Sequence, residues 1–419
     1  SAAFHGYVRA RPSHPSTPRR VLLNTWEAVY FDHRLEVLTA LADRAAQVGI
    51  ERFVLDDGWF GSRRDDRRGL GDWVVSDEVW PDGLTPLIEH VRSRGMEFGL
   101  WVEPEMANPD SDLVREHPDW VLRVPGRDPL LWRHQQVIDL ANPQCFDHIV
   151  GHLDAILTHN DIAFVKWDHN RDLIDAAHEA RPAVRAQTLA VYALFDELRR
   201  RHPAVEFETC ASGGGRVDLG ILARTDRLWA SDTIDALERQ QINLWTSLVV
   251  PPELIGSHIG GPHSHTTGRH ASFALRAASA VFWHLGVEWN LAELTDAELA
   301  MLATALAWHQ EHRGLLHTGD VVRLDTPTRS AVVHGVVATD QGEAVFSIAQ
   351  LATDVAEGAG RLRLDGLDPD ATYAVGPAIL GELPSCQQLS WPDWVEHPGT
   401  RISGAAVSYT HLTLPTSDL

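Results

Sequence analysis

A chain of 419 residues is too long for one small core and implies two domains, or one large barrel with an appendage. Its 58 acidic against 36 basic residues give a net charge of −22, which repels nucleic acid and anionic membrane, and no apolar run reaches the ~18 residues of a membrane span. An uncharged small molecule is the expected partner; three scattered cysteines, Cys145, Cys210 and Cys386, support neither a disulfide framework nor a cysteine zinc site.

In chain order, residues 1–20 read as a lead-in without a signal-peptide core, so a cytoplasmic setting is expected. VLLN (21–24) is the first strand. The helix after it carries Leu38, Leu41, Ala42, Ala45 and Val48 on one stripe, with Gly49 where a C-cap belongs. RFVLDD (52–57) is the second strand, LTPLIEHVRSRG a helix ending at Gly95, and EFGLWVE (97–103) the third strand. A helix around CFDHIVGHLDAILTHN leads to AFVKWD (163–168), and AQTLAVYALFDELRRR leads to AVEFETC (204–210). RLWASD (227–232) follows a shorter link. The helix ALERQQINLWTSLVV, ELIGSHI (253–259), a helix near 271–281 and WHLGVEW (283–289) complete the rhythm.

Eight strand–helix alternations predict a (β/α)8 TIM barrel over residues 21–316, an α/β fold. The strands read as nearly continuous apolar runs, as when both faces are covered. A doubly wound sheet is the lesser fit, because no glycine-rich turn follows the first strand. The last barrel helix opens at Thr295, with Glu298 as its capping-box partner, and is expected to run to about His312. The period then changes to short strands broken by Gly, Asp and Pro, which predicts a small antiparallel β-sandwich over residues 317–404. Residues 405–419 break that pattern and read as an atypical, artefactual tail.

Catalytic groups of such barrels sit at the C-terminal strand ends. Here those ends carry Asp56-Asp57-Gly58-Trp59, then Trp101, Glu103 and Glu105, then Lys166, Asp168 and Asn170, then Cys210 with the glycine turn 213–215, then Asp232 with Asp235 behind it. Any single Asp here suits a helix N-cap, and Asp232 or Asp235 alone reads more simply that way. Five successive strand ends of this kind exceed what capping requires. Converging carboxylates suit glycoside cleavage: one attacks or stabilises the anomeric carbon, a second gives a proton to the leaving oxygen, and the rest bind hydroxyls. Most of the 15 tryptophans are core filler, but Trp59, Trp101, Trp167 and Trp229 flank acids, as suits flat sugar faces. His258, His263, His265 and His270 raise the alternative of a metal-dependent amidohydrolase. The first strand supplies no second His-x-His, so a loop at the substrate mouth is the preferred reading and no metal or cofactor is expected.

LLNTWEAVYFD, VLDDGWFGSRRDD, FGLWVEPEMANPDSDL, KWDHNR, CASGGGR and SDTIDALERQQI together resemble, in order and spacing, the bacterial α-galactosidases of glycoside hydrolase family 36, from about Tyr7 to about Arg401. The resemblance implies a retaining, metal-independent hydrolase of terminal α-linked galactose, with a barrel followed by a β-sandwich. It implies Asp168 as nucleophile and Asp232 as general acid/base. Asp56 and Asp57 would hold the galactose 4- and 6-hydroxyls beside the Trp101 platform, while Arg133, Lys166 and Asn170 bind further hydroxyls. Cys210 and Gly213 would form the wall facing the 2-hydroxyl. α-Galactosyltransferases and α-N-acetylgalactosaminidases share this chemistry and remain alternatives. Relatives also carry a β-supersandwich domain before the barrel, of which residues 1–20 would be the end, and form homo-oligomers, often tetramers.

Overall fold

Each of the eight apolar runs becomes a strand, and the strands pair in parallel in chain order until the last closes on the first. They are β1 (Leu22–Asn24), β2 (Arg52–Leu55), β3 (Glu97–Val102), β4 (Phe164–Trp167), β5 (Glu206–Thr209), β6 (Arg227–Trp229), β7 (Ile255–Gly260) and β8 (His284–Glu288). Pairing of Leu22 with Gly286 shuts the barrel. The structure, a computed structural model, describes residues 1–326, 330–352, 361–381, 393–407 and 412–413; Cys386 and most of the 405–419 tail lie outside them.

The helices α1 (Ala2–Arg9), α2 (Leu35–Val48), α3 (Thr85–Ser93), α4 (Pro143–His159), α5 (Val184–Arg201), α6 (Ala236–Thr246), α7 (Phe273–Ala280) and α8 (Asp296–Thr318) are the main helical elements. α2 buries the five stripe residues and stops at Gly49, whose φ of 92° a side chain would strain. The capping box of Thr295 and Glu298 opens α8. That helix passes the expected end at His312, and through Gly314, because Leu315 and Leu316 still face the core; it stops at Gly319. The lead-in carries α1, tied to the barrel by His5 Nε2 against the Ser247 carbonyl (2.8 Å) and by Arg9 paired with Glu253 (2.7 Å). Among the described residues no helix is long and apolar enough to cross a membrane.

The strands differ from the expectation of two apolar faces. Strict alternation sends Val165 and Trp167 outward into the helix layer, where Trp167 stacks on Phe195 at 4.0 Å, and Phe164 inward with Leu22 and Val54. The inward set is otherwise largely charged. Arg52 pairs with Glu97 at 2.7 Å and Glu206 at 2.9 Å, and Arg227 pairs with Glu208. A barrel this narrow covers its inner face with its own side chains, so ion pairs can replace aliphatic layers there. Breaking such a pair exposes its cost. Arg227→Met should destabilise the fold by about 3–5 kcal/mol, since it strands a buried Glu208. The double change with Glu208→Met should recover most of that loss, as read from denaturation midpoints.

Beyond α8, strands β9 (Asp320–Leu324), β10 (Ala331–Val337) and β11 (Ala344–Gln350) form an antiparallel sheet. β12 (Thr372–Val375) pairs with β13 (Thr400–Ser403). Val333, Val337, Leu364, Leu367 and Val407 form the core here, with Phe346 of one sheet and Tyr373 and Ile402 of the other packed against it.

Candidate active site

The C-terminal ends of the barrel strands enclose a cavity of about 270 Å³, near the lower end of ligand pockets. Its lining includes Asp56, Asp57, Trp101, Arg133, Lys166, Asp168, Asn170 and Asp232. Alternation along β4 explains the crowding in KWDHN: Phe164, Lys166 and Asp168 share the inward face, so each step toward the barrel mouth adds a polar group.

Asp168 is buried and surrounded by donors. Its Oδ1 accepts from the His169 amide at 2.7 Å, and its Oδ2 from Asn170 Nδ2 at 2.7 Å and Trp101 Nε1 at 3.3 Å. Burial raises its pKa, but the Lys166 charge and these hydrogen bonds outweigh burial and hold the carboxyl below the usual range. Asp232 has one strong donor, Trp229 Nε1 at 3.0 Å. Burial and then the Asp168 charge push its pKa up. One carboxyl is thus biased toward the anion and the other toward the acid. That is what nucleophile and acid require.

Lys166 Nζ donates to Asp56 Oδ2 at 2.7 Å. Burial opposes its charge, but Asp56 and Glu288 more than compensate, so its pKa lies above that of an ordinary lysine. Asp57 is held by Arg63 through Nη2 at 2.7 Å and Nε at 3.0 Å. Nε also reaches Oδ2 at 3.2 Å, so it is Asp57 Oδ1, with a single donor, that keeps a lone pair for a ligand hydroxyl. Arg133 is exposed at a tight hairpin tip, where it and His134 have φ of 50° and 59°.

Several residues take other places than expected. Cys210 and Gly213 do not line the cavity. Both adjoin Asp232: Cys210 Sγ lies 3.9 Å from Asp232 Oδ1 and also neighbours Asp168, and a Cβ on Gly213 would come within 2.6 Å of Ser231 Cα. Glu103 and Glu105, expected among the hydroxyl binders, are taken by protein donors. Glu103 accepts from Gln135 Nε2 and the Asn170 amide. Glu105 accepts from Trp167 Nε1, His169 and Arg216. Burial opposes its ionisation, yet Arg216 and His169 pull its pKa down to about 2. Asp235 is the N-cap that its position alone suggests, accepting from the Leu237 amide at 2.8 Å.

The cavity also draws in Trp26, Glu27, Arg63, Trp229, His265, Thr266 and Glu288. Glu27 and Glu288 follow the strand-end rule applied to β1 and β8, and could have been found by it. Arg63 has no such signal. Of the four histidines expected in a loop, His258 lies inside β7, buried against Glu288 (2.7 Å) and Arg227 (3.0 Å), and His263 and His270 pack on each other. His265 reaches the Tyr30 hydroxyl at 2.7 Å. Among the described residues no group of three or more His, Cys, Asp or Glu could hold a metal ion.

Residues 1–319 match the family model described as Melibiase, and residues 331–418 that of the glycosyl hydrolase family 36 C-terminal domain. An alpha-galactosidase of Escherichia coli is 48% identical over 355 residues, which are 85% of this chain and 50% of that protein. The crystal structure of GH36 alpha-galactosidase AgaA from Geobacillus stearothermophilus superposes with a TM-score of 0.90 at 34% identity, over 99% of this chain and 56% of that one. A variant of that enzyme in complex with raffinose superposes with the same TM-score, identity and coverage, 0.90, 34%, 99% and 56%. The chain spans about half the length of the curated relatives it matches.

Proposed function

The chain belongs to the melibiase family, glycoside hydrolase family 36, and from that premise we propose that it is a retaining α-galactosidase. Its substrates are oligosaccharides ending in α-linked galactose, such as melibiose and raffinose. The observation that carries this reading is the meeting of Asp168 and Asp232 in one cavity with opposite pKa displacements.

In the first step an Asp168 oxygen attacks the anomeric carbon while the bond to the leaving sugar breaks. Asp232 gives its proton to the departing oxygen, and the galactose is left as an ester on Asp168. In the second step Asp232, now a carboxylate, takes a proton from water as that water attacks the same carbon. The ester breaks, Asp168 returns as an anion and configuration is retained. This path requires the two carboxyl groups to work roughly 5–5.5 Å apart, against ~6.5–9.5 Å for inversion. Asn170 and Trp101 orient the attacking carboxylate, and Lys166 keeps it ionised.

Sugar selection falls to Asp56 and Asp57 at the end of β2. The axial 4-hydroxyl of galactose and the equatorial one of glucose reach different places, and a buried carboxylate left without its hydroxyl costs about 1–3 kcal/mol. Preference for α-galactoside over α-glucoside should therefore reach tens to hundreds of fold or more. Asp57→Asn, which keeps an acceptor for Arg63, should shrink that ratio. Equal wild-type rates on the two nitrophenyl glycosides would remove the proposal.

A further inference from the structure

Six acids line the cavity, Glu27, Asp56, Asp57, Asp168, Asp232 and Glu288, against three cations, Arg63, Arg133 and Lys166. Arg63 is committed to Asp57 and Lys166 to Asp56. Glu288 is satisfied by His258 Nδ1 at 2.7 Å and Asn24 Nδ2 at 2.8 Å. Asp168 has its three donors, and Asp232 accepts from Trp229 Nε1. Glu27 remains. It is half-buried, and its backbone amide lies 3.4 Å from Glu288 Oε1. Among the described residues no side chain donates to its carboxyl. The groups facing it are Glu288 from β8, Lys166 from β4, Asp232 beyond β6, Arg239 from α6 and Tyr30 from its own segment. An unpartnered acid to whose carboxyl none of these cations donates, with its own amide turned to the ionised Glu288, is best accommodated with its proton on.

We infer that Glu27 is a further specificity-determining residue, which as the neutral acid donates a hydrogen bond to a hydroxyl of the bound sugar. The inference rests on the α-galactosidase reading, since it takes galactose as the occupant of the cavity. Burial first, and the Glu288 charge second, raise the Glu27 pKa to about 8. Ionisation above that pH turns a donor into an anion that can only accept. A sugar placed to receive its proton then loses that bond, worth a few-fold to about tenfold in affinity.

The test is galactose binding by calorimetry to the full chain as wild type, Glu27→Gln and Glu27→Ala, from about pH 6 to about pH 9.5. Glutamine keeps a donor at every pH, and alanine removes the group without leaving a partner unpaired. The ratio of wild-type Kd to that of Glu27→Gln should be near one at the acid end and about 3–10 at the alkaline end. Any slope that Asp232 adds is common to all three proteins and cancels in the ratio. Glu27→Ala should bind about 3–10-fold more weakly than wild type at the acid end. A ratio that stays flat, or an alanine variant that binds like wild type, would overturn the inference while leaving the α-galactosidase reading intact. A wild type that binds no galactose at any pH would overturn both.

Discussion

Asp168→Ala is expected to lower kcat on nitrophenyl α-galactoside by about 10⁴–10⁶-fold, the scale of losing a nucleophile. Both chemical steps pass through this carboxylate, so no leaving group, however good, can restore the rate. The fold should survive, because Lys166 keeps its 2.7 Å pair with Asp56 and Asn170 keeps the Ser212 hydroxyl at 3.3 Å. Added azide can occupy the emptied space and attack the anomeric carbon directly, giving the β-linked galactosyl azide, the inverted product. The acid side of the wild-type pH profile belongs to the same group. Its pKa lies below the ordinary carboxylate value, so activity should fall only as pH drops through that depressed value. A variant that stays active, or still accumulates a covalent galactosyl adduct, would assign the nucleophile elsewhere.

Elements were legible where the physics is local. The α2 stripe closed by Gly49, the Thr295 capping box and the eight β-branched or aromatic runs all depend on residues within a turn or two of each other. What faces what inside the barrel was not, because closure brings together residues far apart in the chain. Arg52 meets Glu206, and Arg227 meets Glu208 and His258, so charges that read as interruptions of apolar strands are paired on the inner face.

The same nonlocality divides the acids of the site. Glu103 and Glu105 stand at a strand end just as Asp56 and Asp57 do. Only the arrival of Gln135, His169, Asn170 and Arg216 shows that both carboxyls are engaged by protein donors and stand off the cavity lining. Asp56 and Asp57 each have a cation too, Lys166 and Arg63, yet both remain on the cavity wall. Cys210 and Gly213 both adjoin Asp232, and Cys210 also neighbours Asp168. A side chain at Gly213 would strike the backbone of Ser231 and Asp232, so this glycine serves the position of Asp232, which no spacing in the sequence could reveal.

Asp232→Ala should behave differently from Asp168→Ala, and the difference depends on the leaving group. On raffinose, whose departing alkoxide needs a proton, the loss should be about 10²–10⁴-fold, the usual contribution of general acid catalysis. On nitrophenyl α-galactoside the first step needs little protonation, so the glycosyl-enzyme should still form and accumulate, awaiting a base for the second step. Added azide needs no deprotonation and should speed that second step, giving a product with retained configuration. The pH profile provides an independent reading. Burial and the Asp168 charge raise the wild-type pKa, so the proton is held at low pH and lost as pH rises through the raised value. Wild-type kcat/KM on raffinose should therefore decline on the alkaline side, and the alanine variant should lose the part of that decline that Asp232 contributes. Its removal also takes away the acceptor of Trp229 Nε1, so the melting curve must be compared with wild type before rates are interpreted. Equal losses on the two substrates, with the alkaline limb unchanged, would mean that the proton reaches the leaving oxygen from another group, and Glu27 and Asp56 are the other cavity acids whose pKa is raised.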